Sequence, residues 1–115
     1  MSRDLVTSLC TALPGAEWSE PFGPGTDVWK VGGKIFAATG AGAEGVSVKC
    51  PDVETAEMLR DAGAALKAPY FHKSWVLVPF ASADAAEIAH RLHVSYDVIR
   101  ARLPKKFQTA LPPRA

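Results

Sequence analysis

The sequence predicts an α+β domain of the order α-β(3)-α-β(2)-α, with helices packed on one face of a five-stranded antiparallel sheet. Two observations carry this prediction. Five short stretches have the composition or alternation of β-strands, and three longer stretches repeat apolar residues at the spacing of amphipathic helices. Because single helices separate two runs of strands, the order indicates α+β rather than a parallel α/β sheet.

The first helix is predicted over residues 2–13, where apolar residues fall on one side and Pro14-Gly15 supplies a stop. The following stretch, 14–25, is rich in proline and glycine. It is predicted to be an ordered loop without regular structure, because such punctuation interrupts both helices and strands. Its aromatic residues, Trp18 and Phe22, are expected to cover an edge of the core.

A β-hairpin is predicted where two apolar runs meet at the pair Gly32-Gly33. A two-residue turn of this kind needs positive φ at both positions, which glycine adopts without strain. The register that follows from this turn is Val31 opposite Lys34, Lys30 opposite Ile35, and Trp29 opposite Phe36. We therefore expect Trp29 and Phe36 to share one face of the hairpin.

The chain after the hairpin predicts a third strand at 46–49 by simple alternation. A second helix opens at Pro51-Asp52 and runs to about residue 66. A short edge strand, a position that tolerates Pro69, then leads into a long strand at 75–78.

The last helix is predicted from residue 83 to 103, with Asp84 and Glu87 in the spacing of a capping box. Its apolar stripe consists of Ile88, Leu92, Tyr96, Ile99 and Leu103. Tyr96 is therefore expected to be buried, with its hydroxyl group hydrogen-bonded.

The chain has the size of one domain, predicted over residues 1–107, with a flexible tail at 108–115. Its 115 residues include 13 basic and 12 acidic ones, so the overall charge gives no case for a nucleic-acid or membrane-surface protein. No apolar run is long enough for a membrane span. Cys10 and Cys50 are predicted to be reduced thiols. These features predict a cytoplasmic protein with no membrane partner. The oligomeric state stays open, with a monomer favoured.

Several motifs together resemble the MmcQ/YjbR-like family of small bacterial proteins, over roughly residues 4–107. They are Trp-Lys-Val-Gly-Gly-Lys-Ile-Phe-Ala at 29–37, Val-Ser-Val-Lys-Cys-Pro at 46–51, Ala-Pro-Tyr at 68–70, Trp-Val at 75–76, Ser-Tyr-Asp-Val-Ile at 95–99 and Leu-Pro-Lys-Lys at 103–106.

The resemblance implies a secretion-chaperone-like or YjbR-like fold, which agrees with the element order predicted above. It also implies DNA binding, a role suggested for the family from its wing-like loops, but it transfers no catalytic or base-reading residue. One departure is the compact segment after Pro69, where many members carry a longer and more polar loop. That difference bears on any binding mode that uses this loop.

Local clusters of basic residues are the candidate DNA-binding site. These residues lie on the predicted strands and near the C-terminus: Lys30, Lys34, Lys49, Arg100, Arg102, Lys105 and Lys106. The functional interpretation is a surface that contacts phosphates. The alternative is a solvated sheet face together with cations that complement the C-terminal dipole of a helix.

No motif in the sequence predicts catalysis, a metal site or a cofactor. Glu87, His90 and His93 follow one another at three-residue spacing, which lacks the i, i+4 pair of the strong zinc motif. The leading hypothesis is therefore a non-enzymatic binding domain with DNA as its partner. The alternative is a protein-interaction or chaperone-like module that uses the open sheet face around Trp29 and Phe36.

Overall fold

The computed structural model describes residues 3–114, and its helices pack on one face of an antiparallel sheet. The elements in chain order are α1 Arg3–Thr11, β1 Ala16–Ser19, β2 Thr26–Val31, β3 Lys34–Gly40, β4 Gly45–Lys49, α2 Val53–Asp61, β5 Leu66–Lys67, β6 Trp75–Pro79, α3 Ala85–Ala101 and α4 Lys105–Ala110. The strand order is β1-β2-β3-β4-β6-β5. The predicted α+β class and antiparallel sheet are confirmed, but the sheet has six strands rather than five. Residue 2 of the predicted first helix and residue 115 of the predicted tail lie outside the described residues.

The additional strand is β1, which lies within the stretch predicted to be a loop. It pairs antiparallel with β2 and places Trp18 opposite Trp29. The indole Nε1 of Trp18 donates a hydrogen bond of 2.8 Å to Asp27. Four residues between prolines and glycines are too few to show a period, so the pairing with β2 specifies this strand.

The hairpin follows the predicted turn but not the whole predicted register. Gly32 and Gly33 have φ angles of 57° and 81°, and Lys30 lies opposite Ile35 as expected. Between Lys30 and Trp29 the register shifts by one residue, so Trp29 pairs with Ala37. The predicted pairing of Trp29 with Phe36 is therefore wrong, because Phe36 is the extra residue of a β-bulge.

The bulge is the point at which α3 is fastened to the sheet. Ser95 Oγ donates a 2.6 Å hydrogen bond to the carbonyl oxygen of Phe36 and accepts a 2.9 Å bond from the backbone N–H of Lys49. The ring of Phe36 meets the edge of Tyr96 at 87°, with 5.4 Å between centroids. A bulge leaves ladder groups unpaired, and Ser95 satisfies one of them on each of two strands.

Tyr96 is buried, and its hydroxyl is hydrogen-bonded, as the sequence predicted. The hydroxyl donates to the carbonyl oxygen of Pro14 and accepts from Arg100 Nη1 at 3.2 Å. Asp84 caps α3 by accepting from the N–H of Glu87 at 2.8 Å. The phase and the capping residue of the last helix were therefore predicted correctly, although the helix begins at Ala85 rather than at residue 83.

Two other boundaries differ from the sequence prediction. The second helix ends at Asp61, capped at its start by Asp52, and Leu66 belongs to β5. After Leu103, where the sequence predicted the end of helical structure, α4 begins with Pro104 as its N-cap. Proline is tolerated at the start of a helix, so Leu103-Pro104 separates two helices instead of ending the helical region.

Candidate functional site

Two of the seven predicted DNA-binding residues are engaged inside the protein. Lys49 is buried, and its Nζ donates a hydrogen bond of 2.5 Å to Ser74 Oγ. Burial, reinforced by the nearby Arg102, lowers the pKa of the Lys49 ammonium group below its usual range. An ammonium group in this position cannot reach a phosphate in solution without leaving its partner.

Arg100 is the second engaged residue. Its Nη1 donates to the carbonyl oxygen of Pro112 at 2.7 Å, and its Nη2 donates to the carbonyl oxygens of Gln108 and Leu111 at 3.3 and 3.0 Å. The guanidinium thereby fixes the end of α4 and the residues that follow it against α3. Its role in the described structure is to hold this segment.

The remaining predicted residues are at the surface, and several lie at one end of the molecule. These are Lys30, which is partly buried, and the exposed Lys34, Arg102, Lys105 and Lys106. The turn packs on Leu103, just beyond the end of α3, because a Cβ at Gly32 would lie 2.7 Å from Leu103 Cδ1. This contact brings Lys34 and Arg102 to the same end of the sheet.

The open face of the sheet carries a large apolar groove. Its floor includes a continuous row of cross-strand partners, Val28, Ala38, Ser47 and Leu77, on four neighbouring strands. These residues alternate with core residues such as Val48 and therefore point away from the helices. The cavity above this floor has a volume of about 900 Å³.

Aromatic residues form the two rims of the groove. Phe22 lies on one rim and is 73% exposed, and Pro69, Tyr70 and Phe71 form the other. Tyr70 is fully exposed and has a φ of 67°, a left-handed conformation that is rare for a bulky residue. Residues in such sparsely populated backbone conformations cluster at binding sites and active sites. They persist only where the surrounding fold maintains them.

Few polar groups face the groove. Glu44 is the one charged residue in its described lining, and the hydroxyl of Thr39 is already bonded to the carbonyl oxygen of Gly45 at 2.9 Å. Trp29 and Phe36, which the sequence placed at the open face, are buried beneath the helices. The prediction therefore placed Trp29 and Phe36 on the wrong face of the sheet. The residues that face away from the helices are their neighbours Val28 and Ile35.

A signal for this groove was present in the sequence. Apolar residues occupy positions that face both sides of the sheet, as in Val28 beside Trp29 and Leu77 between Val76 and Val78. Strands that read as continuous apolar runs are covered on both faces in folded proteins. The rims could not be predicted this way, since they come from loops that meet only in the folded chain.

A smaller cavity of about 320 Å³ adjoins the groove and shares Phe71 with it. It lies between α2, β5 and the loop before β6. Its lining residues are Arg60, Lys67, Ala68, Phe71, His72, Lys73 and Trp75. The sequence prediction did not select the basic residues among these, because they are dispersed over three elements.

The buried thiols and the histidines of α3 form no metal site. Across residues 3–114 no group of three or more His, Cys, Asp or Glu side chains is placed to hold a metal ion. Glu87 forms a salt bridge of 2.9 Å with Arg91. Burial, and to a smaller extent the positive charge of Arg114, lowers the pKa of His93. Burial raises the pKa of Cys10 to about 12, which leaves this thiol unreactive at neutral pH.

The comparison with known families decides what kind of protein this is. The family model described as YjbR matches residues 11–98, which include the hairpin, the groove floor and most of α3. The chain belongs to the YjbR family. This identification confirms the resemblance drawn from the motifs.

A solved structure of a similar protein supports the same assignment. Protein DR2400 of Deinococcus radiodurans, described with a DUF419 domain, superimposes with a TM-score of 0.83 at 27% sequence identity. The match covers 95% of this YjbR-family chain and 88% of that one. A comparison with curated protein sequences gives no match. No helix within residues 3–114 is long and apolar enough to cross a membrane.

Proposed function

We propose that this YjbR-family domain is a non-enzymatic binding module whose open-face groove binds an apolar helix of a partner protein. The observation that carries the proposal is the apolar groove of about 900 Å³ with exposed Phe22 and Tyr70 on its rims. An antiparallel sheet that faces water is polar on that side, whereas this face carries Val28, Ile35 and Leu77, of which Val28 and Leu77 are buried and Ile35 is partly exposed. The face is therefore suited to a third layer supplied by another molecule.

The dimensions of the groove favour a helix as the occupant. Its floor spans the adjacent strands β2, β3, β4 and β6, whose three spacings amount to about 14 Å. A helix with its side chains is about 10–12 Å across and fits between the two rims. The small side chains of Ala38 and Ser47 lower the middle of the floor, so a helix can approach the sheet closely.

A library of displayed helical peptides tests this proposal directly. We expect selected peptides to share apolar residues at positions i, i+3, i+4 and i+7, the pattern of a helix in a groove. Ala38→Trp fills the floor and should weaken their binding at least about tenfold. Tyr70→Gly should also weaken peptide binding. Because glycine adopts a positive φ without strain, a loss of binding in this variant cannot be attributed to a loss of folding.

Met58→Ala is the matched control, because Met58 is an exposed apolar residue on α2 that does not line the groove. Binding to this variant should equal that of the parent protein. Selected peptides that bind the Ala38→Trp variant as tightly as the parent would refute the groove as their site.

A second candidate function is non-specific DNA binding at the end of the molecule where the hairpin turn meets α3. The supporting observation is the close approach of Gly32 to Leu103, because the exposed Lys34 and Arg102 lie two residues and one residue along the chain from these positions. Lys105 follows at the start of α4. These side chains are suited to phosphates and not to base edges, so binding would depend on salt rather than on DNA sequence.

A further inference from the structure

The smaller cavity beside the groove concentrates positive charge on a nearly neutral protein. Its lining includes three cations, Arg60, Lys67 and Lys73, together with His72, and no lining residue is acidic. The whole chain carries a formal net charge of only +1. The basic residues come from α2, β5 and the following loop, so the tertiary fold brings them together in this cluster.

Among residues 3–114, no carboxylate forms a salt bridge with a residue of this cluster. The salt bridges within residues 3–114 join Arg3 to Asp27, Arg91 to Glu87 and Arg114 to Asp97, and none involves a residue of this cavity. Glu57 and Asp61, the neighbouring carboxylates along α2, are exposed and do not line the cavity. An anion that enters therefore meets cationic side chains that no salt bridge already occupies.

Backbone contacts hold two of the basic groups in place. Arg60 Nη1 donates to the carbonyl oxygens of Lys73 and Trp75 at 3.2 and 3.3 Å, which orients the guanidinium beside the loop. Nδ1 of His72 accepts the backbone N–H of Ser74 at 3.1 Å. A backbone N–H can only donate, so the proton of the neutral His72 ring lies on Nε2, which is left as a donor.

An aromatic pair lines the same cavity. The rings of Phe71 and Trp75 stack with 4.2 Å between centroids and 17° between planes. Phe71 also lines the groove, so it separates an apolar space from a cationic one. A ligand with a ring and a negatively charged group can contact both.

We propose that this cationic cavity binds the phosphate group of a small phosphorylated ligand whose ring lies against Phe71. Arg60 and the two lysines supply charge-assisted hydrogen bonds to the phosphate oxygens, and His72 supplies the neutral donor Nε2–H. The volume of about 320 Å³ matches the lower end of sites that take small molecules. This proposal goes beyond the peptide-binding function proposed for the groove, and the two sites share Phe71.

Phenyl phosphate is the probe that tests the proposal, with inorganic phosphate and benzyl alcohol as its two halves. In ¹H–¹⁵N spectra at low salt, phenyl phosphate should shift the amide signals of residues 60, 67 and 72–75. It should bind about fivefold more tightly than inorganic phosphate, because a ring contact contributes about 1 kcal/mol. Benzyl alcohol should leave these signals in place.

Matched charge removals distinguish a built site from diffuse attraction. The double variant Lys67→Gln, Lys73→Gln alters exposed side chains and should weaken phenyl phosphate binding at least about tenfold while the protein stays folded. The double variant Lys34→Gln, Lys105→Gln removes the same charge elsewhere and should bind within about twofold of the parent. Equal losses in the two double variants would overturn the proposal, as would the absence of shifts at about 20 mM phenyl phosphate.

Two further arms identify the source of the phosphate and the independence of the site. A short oligothymidylate should bind this cavity more weakly than phenyl phosphate does. If it bound more tightly and depended equally on Lys34, the cavity would belong to a nucleic-acid surface and the proposal would be wrong. Ala38→Trp should leave phosphate binding intact, so failure of the groove hypothesis is separable from failure of this one.

Discussion

At the scale of single residues, the buried carboxylate of Asp27 ties α1 and β1 to β2. Arg3 donates to it through Nε and Nη2 at 2.6 and 2.9 Å, and Trp18 Nε1 donates at 2.8 Å. The hydrogen bond from Arg3, and then that from Trp18, lowers the pKa of Asp27. A lowered pKa means that the charged form is stabilised by folding.

Asp27→Asn should therefore reduce the free energy of unfolding at pH 7 by about 1–3 kcal/mol. The contribution of the carboxylate is complete above its unfolded pKa of about 3.9 and is lost as the pH falls through the lower folded value. The difference between parent and variant should thus shrink as the pH drops from about 5 to about 2. Urea unfolding across this range measures it, with the exposed Asp61→Asn as control.

Tyr96 gives a second residue-scale prediction. Its hydroxyl donates to the Pro14 carbonyl oxygen and accepts from Arg100, so Tyr96→Phe leaves both partners short of a hydrogen bond. We expect a loss of about 1–2 kcal/mol in the free energy of unfolding. Tyr70→Phe removes a hydroxyl that is exposed to water and should change stability very little. Equal effects of the two substitutions would contradict the structural role of the Tyr96 hydroxyl.

At the scale of elements, the hairpin turn distinguishes its two glycines. Both have positive φ, but a Cβ at Gly32 would lie 2.7 Å from Leu103, whereas a Cβ at Gly33 would meet no atom within 4 Å. Gly33→Ala should cost about 1–2 kcal/mol for the backbone conformation alone. Gly32→Ala should cost more, because the buried Leu103 must also move. Thermal unfolding compares the two variants, and equal losses would argue against the contact between turn and α3.

The sequence predicted those elements whose own pattern carries the information. The capping pair Asp84 and Glu87 and the turn at Gly32-Gly33 are local signals, and both are present in the structure. Strand β1 and the bulge at Phe36 depend on distant partners, namely the β2 ladder and the hydroxyl of Ser95. A signal that resides in another element is absent from the local sequence, which is why the sheet was predicted one strand short.

The candidate sites were predicted less completely than the fold. Sequence shows which residues are cationic but not which of them the fold engages, as Lys49 and Arg100 illustrate. Conversely, Arg60 and Lys73 share a cavity although neither belongs to a basic run. Proximity in a binding site is a property of the tertiary structure.

At the scale of the whole molecule, the DNA hypothesis predicts a salt dependence. With about three phosphates neutralised by Lys34, Arg102 and Lys105, the log–log slope should be roughly −2.7, so affinity should fall some 40-fold between about 50 and about 200 mM salt. Changing all three residues to Gln should flatten the slope. Lys49→Met should not, because that ammonium group is buried against Ser74. Mobility shifts of duplex DNA measure these slopes, and an unchanged slope in the triple variant would end the hypothesis.

The two edge strands of the sheet limit how a partner protein can bind. The outer strands, β1 and β5, have only four and two residues, which leaves little unpaired backbone for a visiting strand to continue the ladder. A partner must then be held through its side chains, and its own amide hydrogens stay uninvolved. A groove-binding helix stapled from hydrocarbon or built on a β-peptide backbone, with the same apolar groups in the same places, should serve as well as a natural one.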